Sequence, residues 1–240
     1  GSGKTTTLYA GLRYLSDSSQ NILTVEDPIE YTLNGIGQTQ VNNKTGYTFA
    51  KGLRAILRQD PDIVMVGEMR DIETAQIGIQ SSLTGHLVLS TVHTNSAVAA
   101  ITRLRDMGIE SFLLASSLRT IISQRLVRRL CPHCKTKDKP SIKSIDIFGL
   151  DKNKSVYSAK GCDECNHTGY QGRIAIAECI QIDKTLKDFI HNNASENEIS
   201  EYVFKDNQSI DQASVDLITS GVTSCEEIIR INNIQEDASI

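Results

Sequence analysis

The sequence predicts an α/β fold: a parallel sheet with helices on both faces, then a small four-cysteine subdomain and a helical C-terminal region. Three observations carry this expectation. Over roughly the first 130 residues, short β-rich runs alternate with segments of helical periodicity, the pattern of right-handed βαβ units. Four of the six cysteines then form two close pairs in a stretch, 131–170, with little periodicity. From about residue 183 the apolar spacing is helical.

The elements follow in order. Leu8, Leu12 and Leu15 recur at helical spacing and predict a helix over 4–16. Asn21-Ile-Leu-Thr-Val-Glu26 is short and β-rich, and Pro28 stops it. Residues 34–47 hold three glycines and three asparagines and read as a long loop or twisted hairpin. Phe49, Leu53 and Ile56 mark a second helix, closed by Pro61. Asp62-Ile-Val-Met-Val-Gly67 is nearly continuous in apolar residues, as a strand buried on both faces should be. Asp71 can cap the next helix, with Ile72, Ala75 and Ile79 on one face. Leu87–Val92 reads as another buried strand. Val98, Ile101, Leu104 and Met107 then predict a helix ended by Gly108. Near the C-terminus, Thr223-Ser224-Cys225-Glu226 reads as a capping box before Ile228 and Ile229.

Composition narrows the function. Hydrophobic residues make up 39% and charged residues 22% of 240, as expected of a globular chain. The formal net charge is −4, aromatics are 5% and there is no Trp. That speaks against nucleic acid as the main partner, since duplex binders usually carry a basic surplus. No apolar run approaches the roughly 18–20 residues that span a bilayer. The chain opens on glycine inside a motif, so an upstream segment is expected to precede it.

That motif is Gly1-Ser2-Gly3-Lys4-Thr5, which reads as the second half of the phosphate-binding pattern GxxxxGK[ST]. Glycines let backbone N–H groups approach phosphates, and the helix N-terminus adds partial positive charge. The phosphate-binding set is then Gly1, Ser2, Gly3, Lys4, Thr5 and Thr6. Lys4 is expected at the β and γ phosphates of ATP, and the Thr5 hydroxyl on Mg²⁺. With the first half of the cradle absent, this chain alone is expected to bind ATP poorly and to be inactive by itself.

Ligands of open parallel sheets sit at the carboxyl ends of the strands. Three groups fall there: Glu26-Asp27-Pro28-Ile29-Glu30, Gly67-Glu68, and His93. A phosphate-transferring site needs carboxylates for Mg²⁺ and for the attacking water, and a contact to the γ-phosphate. Glu68 is the candidate for polarising the water, directly or through Mg²⁺. The preceding Gly67 makes this strand end atypical, because an aspartate usually helps to hold the metal.

The ordered motifs resemble the type II secretion and type IV pilus ATPases. Gly1–Tyr9 is similar to their Walker A segment, Thr24–Tyr31 to their aspartate box, Leu57–Asp71 to their atypical Walker B, and Thr84–Asn95 to their histidine box. Gly35–Asn42 looks most like the type II secretion branch, with pilus assembly as the alternative. The resemblance implies a RecA-like sheet and an ATPase that drives pseudopilus assembly and protein export. It implies Glu68, Glu30 and His93 as catalytic residues, and Glu26, Asp27, Glu68 and Thr5 around Mg²⁺. His86, Arg54 and Arg58 are implied as sensor or inter-subunit residues. It also implies a homohexamer and inner-membrane platform partners. The location it implies is peripheral, at the cytoplasmic face of the bacterial inner membrane.

Cys131-x2-Cys134 and Cys162-x2-Cys165, separated by 27 residues, supply four thiolates for a closed tetrahedral Zn²⁺ site. His133 and His167 lie close by as alternative ligands. The expected organisation is an ATPase core over 1–130, a tetracysteine subdomain over 131–178 and a helical region over 179–240. Two other classes compete. A DNA-translocating ATPase would be expected to show a basic or aromatic face. A zinc-ribbon binding module would leave the first 130 residues unexplained.

Overall fold

The computed structural model describes residues 1–17 and 19–236. The chain forms two compact units, neither continuous in sequence. One comprises residues 4–121 and 180–205; the other comprises 1–3, 122–179 and the chain from 206 onward.

The first unit is built on a four-stranded parallel sheet of order β2-β1-β3-β4. Its strands are β1 (Ile22–Glu26), β2 (Gly37–Gln40), β3 (Ile63–Val66) and β4 (Leu87–Ser90). Side chains alternate across a strand, so β3 sends Ile63 and Met65 to one face and Val64 and Val66 to the other. On the first face they join Tyr9 and Leu12 of α1 (Lys4–Leu15). On the second they join Leu53 and Ile56 of α2 (Phe49–Ile56). The expected α/β architecture, with helices on both faces, is thereby formed.

A larger apolar cluster gathers α3 (Ile72–Leu83), α4 (Ala97–Asp106) and α5 (Ser111–Ser117). Two helices from much later in the chain join it, α7 (Lys184–His191) and α8 (Glu196–Val203), through Leu186, Ile190, Ile199 and Val203. Arg105 fastens them by donating to the carbonyls of Ile190 and Ala194 at 2.8 and 3.0 Å.

Several local expectations differ from the structure. Residues 34–47 contain β2, an edge strand held by backbone bonds to β1. Its sequence, Gly-Gln-Thr-Gln, has no apolar residue to announce it. The strand at 87–90 is an edge strand and only half-buried. Asp71 does cap α3, accepting the Thr74 N–H at 2.8 Å, yet Ile72 is 47% exposed while Ala75 and Ile79 are buried.

In the second unit, β5 (Thr120–Leu130) pairs with β8 (Tyr170–Gln181); its part of this ribbon is 122–130 and 170–179. Short antiparallel strands β6 (Thr136–Asp138) and β7 (Val156–Ser158) flank α6 (Ile142–Phe148). The core combines Val127, Leu150, Val156 and Ile176 with Ile210 and Ile218 of α9 (Ile210–Thr219) and Cys225 and Ile228 of α10 (Cys225–Glu236).

The α10 cap sits one residue later than the capping box read from the sequence. Ser224 Oγ accepts the Glu227 N–H at 3.3 Å, while Thr223 Oγ1 donates to the Arg128 carbonyl at 2.8 Å. Glu227 is fully buried. It accepts from Arg128 N, Nε and Nη2 at 3.0, 2.8 and 2.6 Å. Arg230 Nε and Nη2 add bonds of 2.9 and 2.8 Å. The Arg128 guanidinium also lies 4.0 Å from the centre of the Tyr170 ring. Burial by itself would raise the Glu227 pKa, but hydrogen bonds from Arg230 and Arg128 outweigh it and hold the group at about 2.

Because the folded pKa is depressed, the unfolded chain binds more protons in acid. This contribution is therefore present above the unfolded value near 4.3 and is lost as pH falls toward about 2. Glu227→Gln replaces charge-assisted bonds from two half-exposed guanidinium groups by weaker ones to a neutral amide and should cost about 1.5–3 kcal/mol. Urea unfolding curves check this: the difference from the parent should shrink between roughly pH 4 and pH 2. A pH-independent difference would rule the ion network out as its source.

Candidate functional site

The parallel register brings the carboxyl ends of β1, β3 and β4 to one edge of the sheet, with Val25, Val66 and Ser90 in one row. Beyond that row the chains remain tied. Gly67 N–H donates to the Val25 carbonyl at 2.8 Å, Thr91 Oγ1 to the Gly67 carbonyl at 2.8 Å, and Met69 N–H to the Thr91 carbonyl at 2.9 Å. These bonds fix the backbone on both sides of Glu68.

Glu68 is 8% exposed. Its Oε2 lies 2.6 Å from Arg70 Nε and 3.3 Å from His93 Nε2. The side chains of Arg70 and His93 are both 68% exposed. A nearly buried carboxylate is thus presented to solvent through two exposed nitrogen groups. Arg70 was not anticipated. Its signal is its spacing: in extended chain, i and i+2 share a face, which places Arg70 beside Glu68 as the strand exits.

The other acids divide. Asp27 and Glu30 are exposed at the end of β1. Glu26 is 2% exposed, and its two oxygens face Tyr9, Thr24 and Gln38. Lys4, Thr5 and Thr6 open α1, with Lys4 and Thr5 half-buried and Thr6 exposed. Gly1, Ser2 and Gly3 belong to the second unit. There Gln124 Nε2 donates to the Ser2 carbonyl at 2.8 Å, and Gly3 adopts φ +83°, a backbone that favours glycine.

Three predicted residues are not brought to this edge. His86 precedes β4, at the amino end of the sheet, where its Nδ1 lies 3.0 Å from the Ser81 carbonyl. Arg54 is exposed on α2 and pairs with Glu73 at 2.6 Å. Arg58 is exposed just beyond α2.

The four paired cysteines converge in the second unit, with all their Sγ atoms within 4.8 Å of one another. Cys131–Cys162, Cys134–Cys165 and Cys162–Cys165 are 3.9, 3.8 and 3.8 Å apart. This is far beyond a disulfide bond of about 2.05 Å. It fits a tetrahedron of thiolates around Zn²⁺, whose Zn–S bonds of about 2.3 Å imply edges of about 3.8 Å. Backbone N–H groups brace the sulfurs: Gly161 to Cys134 at 3.3 Å, and Cys162 and Gly169 to Cys165 at 3.2 Å each. Burial pushes the Cys165 thiol up, but the N–H bonds from Cys162 and Gly169 prevail and bring it to about 6. Burial and the neighbouring thiols push Cys162 the other way, up to about 12, so it is the four-sulfur geometry that marks the metal site.

Gly161, at φ +100°, has no substitute here, because a Cβ would lie 2.6 Å from the His167 carbonyl oxygen. His167 pairs with Asp163 at 3.1 Å, and neither it nor His133 joins the cluster.

Comparison with known proteins gives a consistent picture. The family described as "Type II/IV secretion system protein" matches residues 1–230. The type II secretion system ATPase E of Vibrio cholerae is 54% identical over 233 residues, covering 96% of this chain and 46% of that protein. The type II secretion system protein E of Pseudomonas aeruginosa is 55% identical over the same shares of each chain. The chain therefore spans about half the length of the curated relatives it matches. Among solved structures, the pilus retraction motor PilT with bound ADP superposes with a TM-score of 0.72 at 28% identity. That match covers 96% of this chain and 58% of that one. The ATPase DotB of Legionella pneumophila, at 24% identity and TM-score 0.69 over 97% of this chain and 57% of that one, shares the fold.

Proposed function

The chain belongs to the type II/IV secretion system protein family, and from that premise we propose that it is the motor portion of an ATPase powering pseudopilus assembly and protein export by a bacterial type II secretion system. The observation that carries this reading is Glu68, nearly buried at the carboxyl edge of the sheet and contacted by Arg70 and His93. The names of the relatives support the secretion assignment.

In the reaction, water attacks the γ-phosphorus of ATP, and ADP and phosphate leave. The Glu68 carboxylate orients that water. His93, exposed beside it, contacts the γ-phosphate. Lys4 and Thr5 bind the phosphates at the N-terminus of α1, where unpaired N–H groups favour anions. Asp27 and Glu30 are exposed acids just beyond β1, available to metal and water. Mg²⁺ would be held with the nucleotide by the Thr5 hydroxyl and Asp27, and would supply charge neutralisation on the phosphates. Zn²⁺ would be held by Cys131, Cys134, Cys162 and Cys165 in a structural role, since four thiolates leave no open position. The working state is a homohexamer, peripheral at the cytoplasmic face of the inner membrane and tethered there by platform proteins. Among the described residues no helix is long and apolar enough to cross a membrane.

Lys4→Ala in the upstream-extended protein tests the nucleotide reading. Losing one charged hydrogen bond to phosphate should weaken ATP binding roughly 10- to 100-fold, as measured by nucleotide titration. Unchanged affinity and turnover would remove the phosphate-binding assignment.

A further inference from the structure

The buried end of β1 holds a polar network that the ATPase motifs alone do not explain. Tyr9 is fully buried on α1 and Glu26 is 2% exposed. Tyr9 Oη donates to Glu26 Oε2. The same oxygen accepts the backbone N–H of Glu30 and an N–H of Gln38, each at 3.3 Å. Every hydrogen-bonding capacity of the hydroxyl is therefore used. Gln38, half-buried on β2, shares its two amide N–H groups among Tyr9 Oη, Glu26 Oε1 at 3.0 Å and the Tyr31 carbonyl at 3.3 Å. Its own oxygen accepts the Leu33 N–H at 2.6 Å. Thr24 Oγ1 completes the Glu26 shell at 2.5 Å. The Tyr31 ring meets the Tyr9 ring edge-on, with centroids 4.8 Å apart.

Packing does not require this polarity. Tyr9 sits among Leu12, Ile22, Leu33, Ile63 and Met65, where a phenylalanine would fill nearly the same volume. Buried polar groups are costly unless satisfied, and a fully satisfied network fixes one geometry. What this one fixes is the segment carrying Asp27 and Glu30, which it joins to α1. Thr5 and Tyr9 lie one turn apart on that helix, on the same face.

We propose that Tyr9 and Gln38 are positioning residues for ATP hydrolysis, acting through Glu26 to hold the Asp27–Tyr31 segment in register with the phosphate-binding end of α1. This rests on the ATPase reading above. Glu26 is then an internal anchor rather than a metal ligand, since its oxygens are engaged by protein donors, while Asp27 and Glu30 remain exposed.

The test is steady-state kinetics on the upstream-extended protein. Tyr9→Phe and Gln38→Leu should each lower kcat roughly 10- to 100-fold, as misplacement of a catalytic group does. KM for ATP should stay close to the parent value, while the melting temperature falls by a few degrees, because each substitution strips a hydrogen bond from the buried Glu26 carboxylate. The double variant should be no worse than the more damaged single one, because the residues act as a unit. Gln38→Leu keeps the trial valid if Tyr9→Phe misfolds, because Gln38 is only half-buried. Parent-like kcat in both variants, or a loss of kcat fully matched by a loss of folded protein at the assay temperature, would overturn the proposal. If the parent hydrolyses ATP and Glu68→Gln does not, such a result sinks the positioning role alone. A parent without ATPase activity sinks both readings.

Discussion

Glu68→Gln in the upstream-extended protein should lower ATP turnover by roughly 10²- to 10⁴-fold, the range associated with losing a positioned acid–base group. ATP binding should change little, because the phosphates are assigned to Lys4 and Thr5 rather than to this carboxylate. The substitution is a mild one structurally. It preserves volume at a position that is 8% exposed, and the bonds from Gly67, Thr91 and Met69 that hold the flanking backbone involve main-chain atoms of this segment. It does remove the charge that Arg70 meets at 2.6 Å, and it leaves His93, 3.3 Å away, facing an amide in place of a carboxylate. A drop in kcat with unaltered nucleotide affinity and unaltered melting temperature is therefore the expected signature. Phosphate release and nucleotide titration measure the two quantities separately. Turnover close to the parent's would mean that the water is oriented elsewhere, with Glu30 the next residue to replace.

The second large effect concerns the cysteines. Cys165→Ser should reduce bound zinc from one equivalent per chain toward none, as read by elemental analysis. Cys165 is the most informative member, since its sulfur accepts N–H bonds from both Cys162 and Gly169. Structural zinc contributes about 10–16 kcal/mol of apparent binding free energy, comparable with the whole net stability of a domain at about 5–15 kcal/mol. The second unit should consequently lose order, and the loss should not stop at the cysteine segment. Leu130 N–H donates to the Val222 carbonyl at 2.8 Å, Lys135 Nζ reaches the Gly221 carbonyl at 2.8 Å, and Val127, Val156 and Ile176 share a core with α9 and α10. Hydrogen exchange should thus accelerate over 131–178 and over 206–232 together, as one cooperative unit, while β1 and β3 keep their protection. Zinc-free parent protein would refute the metal site. Unchanged exchange over 206–232 would refute the cooperative unit.

Much of the site was legible because its chemistry is local. Lys4 and Thr5 follow glycines at the start of a helix, Glu68 follows a buried apolar strand, and two CxxC pairs declare a thiolate set by spacing alone. Arg70 needed the structure to show that it turns back onto Glu68. Glu26 and Glu30, four residues apart in one motif, looked equivalent in sequence. Glu26 is the last residue of β1 and is buried under Tyr9, whereas Glu30 lies beyond the strand end and is exposed. His86 and His93 likewise share a motif, but a strand runs between them and carries them to opposite ends of the sheet.

The sequence by itself determined the α/β class, the strands β1, β3 and β4, the helices between them and the tetracysteine set, since each is written in short-range periodicity or spacing; the family resemblance came from the residue identities of the ordered motifs. Only the tertiary structure decided how distant segments combine. Helices α7 and α8 complete the core of the sheet unit, whereas α9 and α10 pack with the cysteine-bearing strands. An amphipathic helix specifies that it has an apolar face to bury, not which of two apolar surfaces will bury it. That choice is made by shape and by long-range polar pairs. Here those are Arg105 with the carbonyls of Ile190 and Ala194, and Glu227 with Arg128, pairs whose members lie 85 to 99 residues apart in the chain.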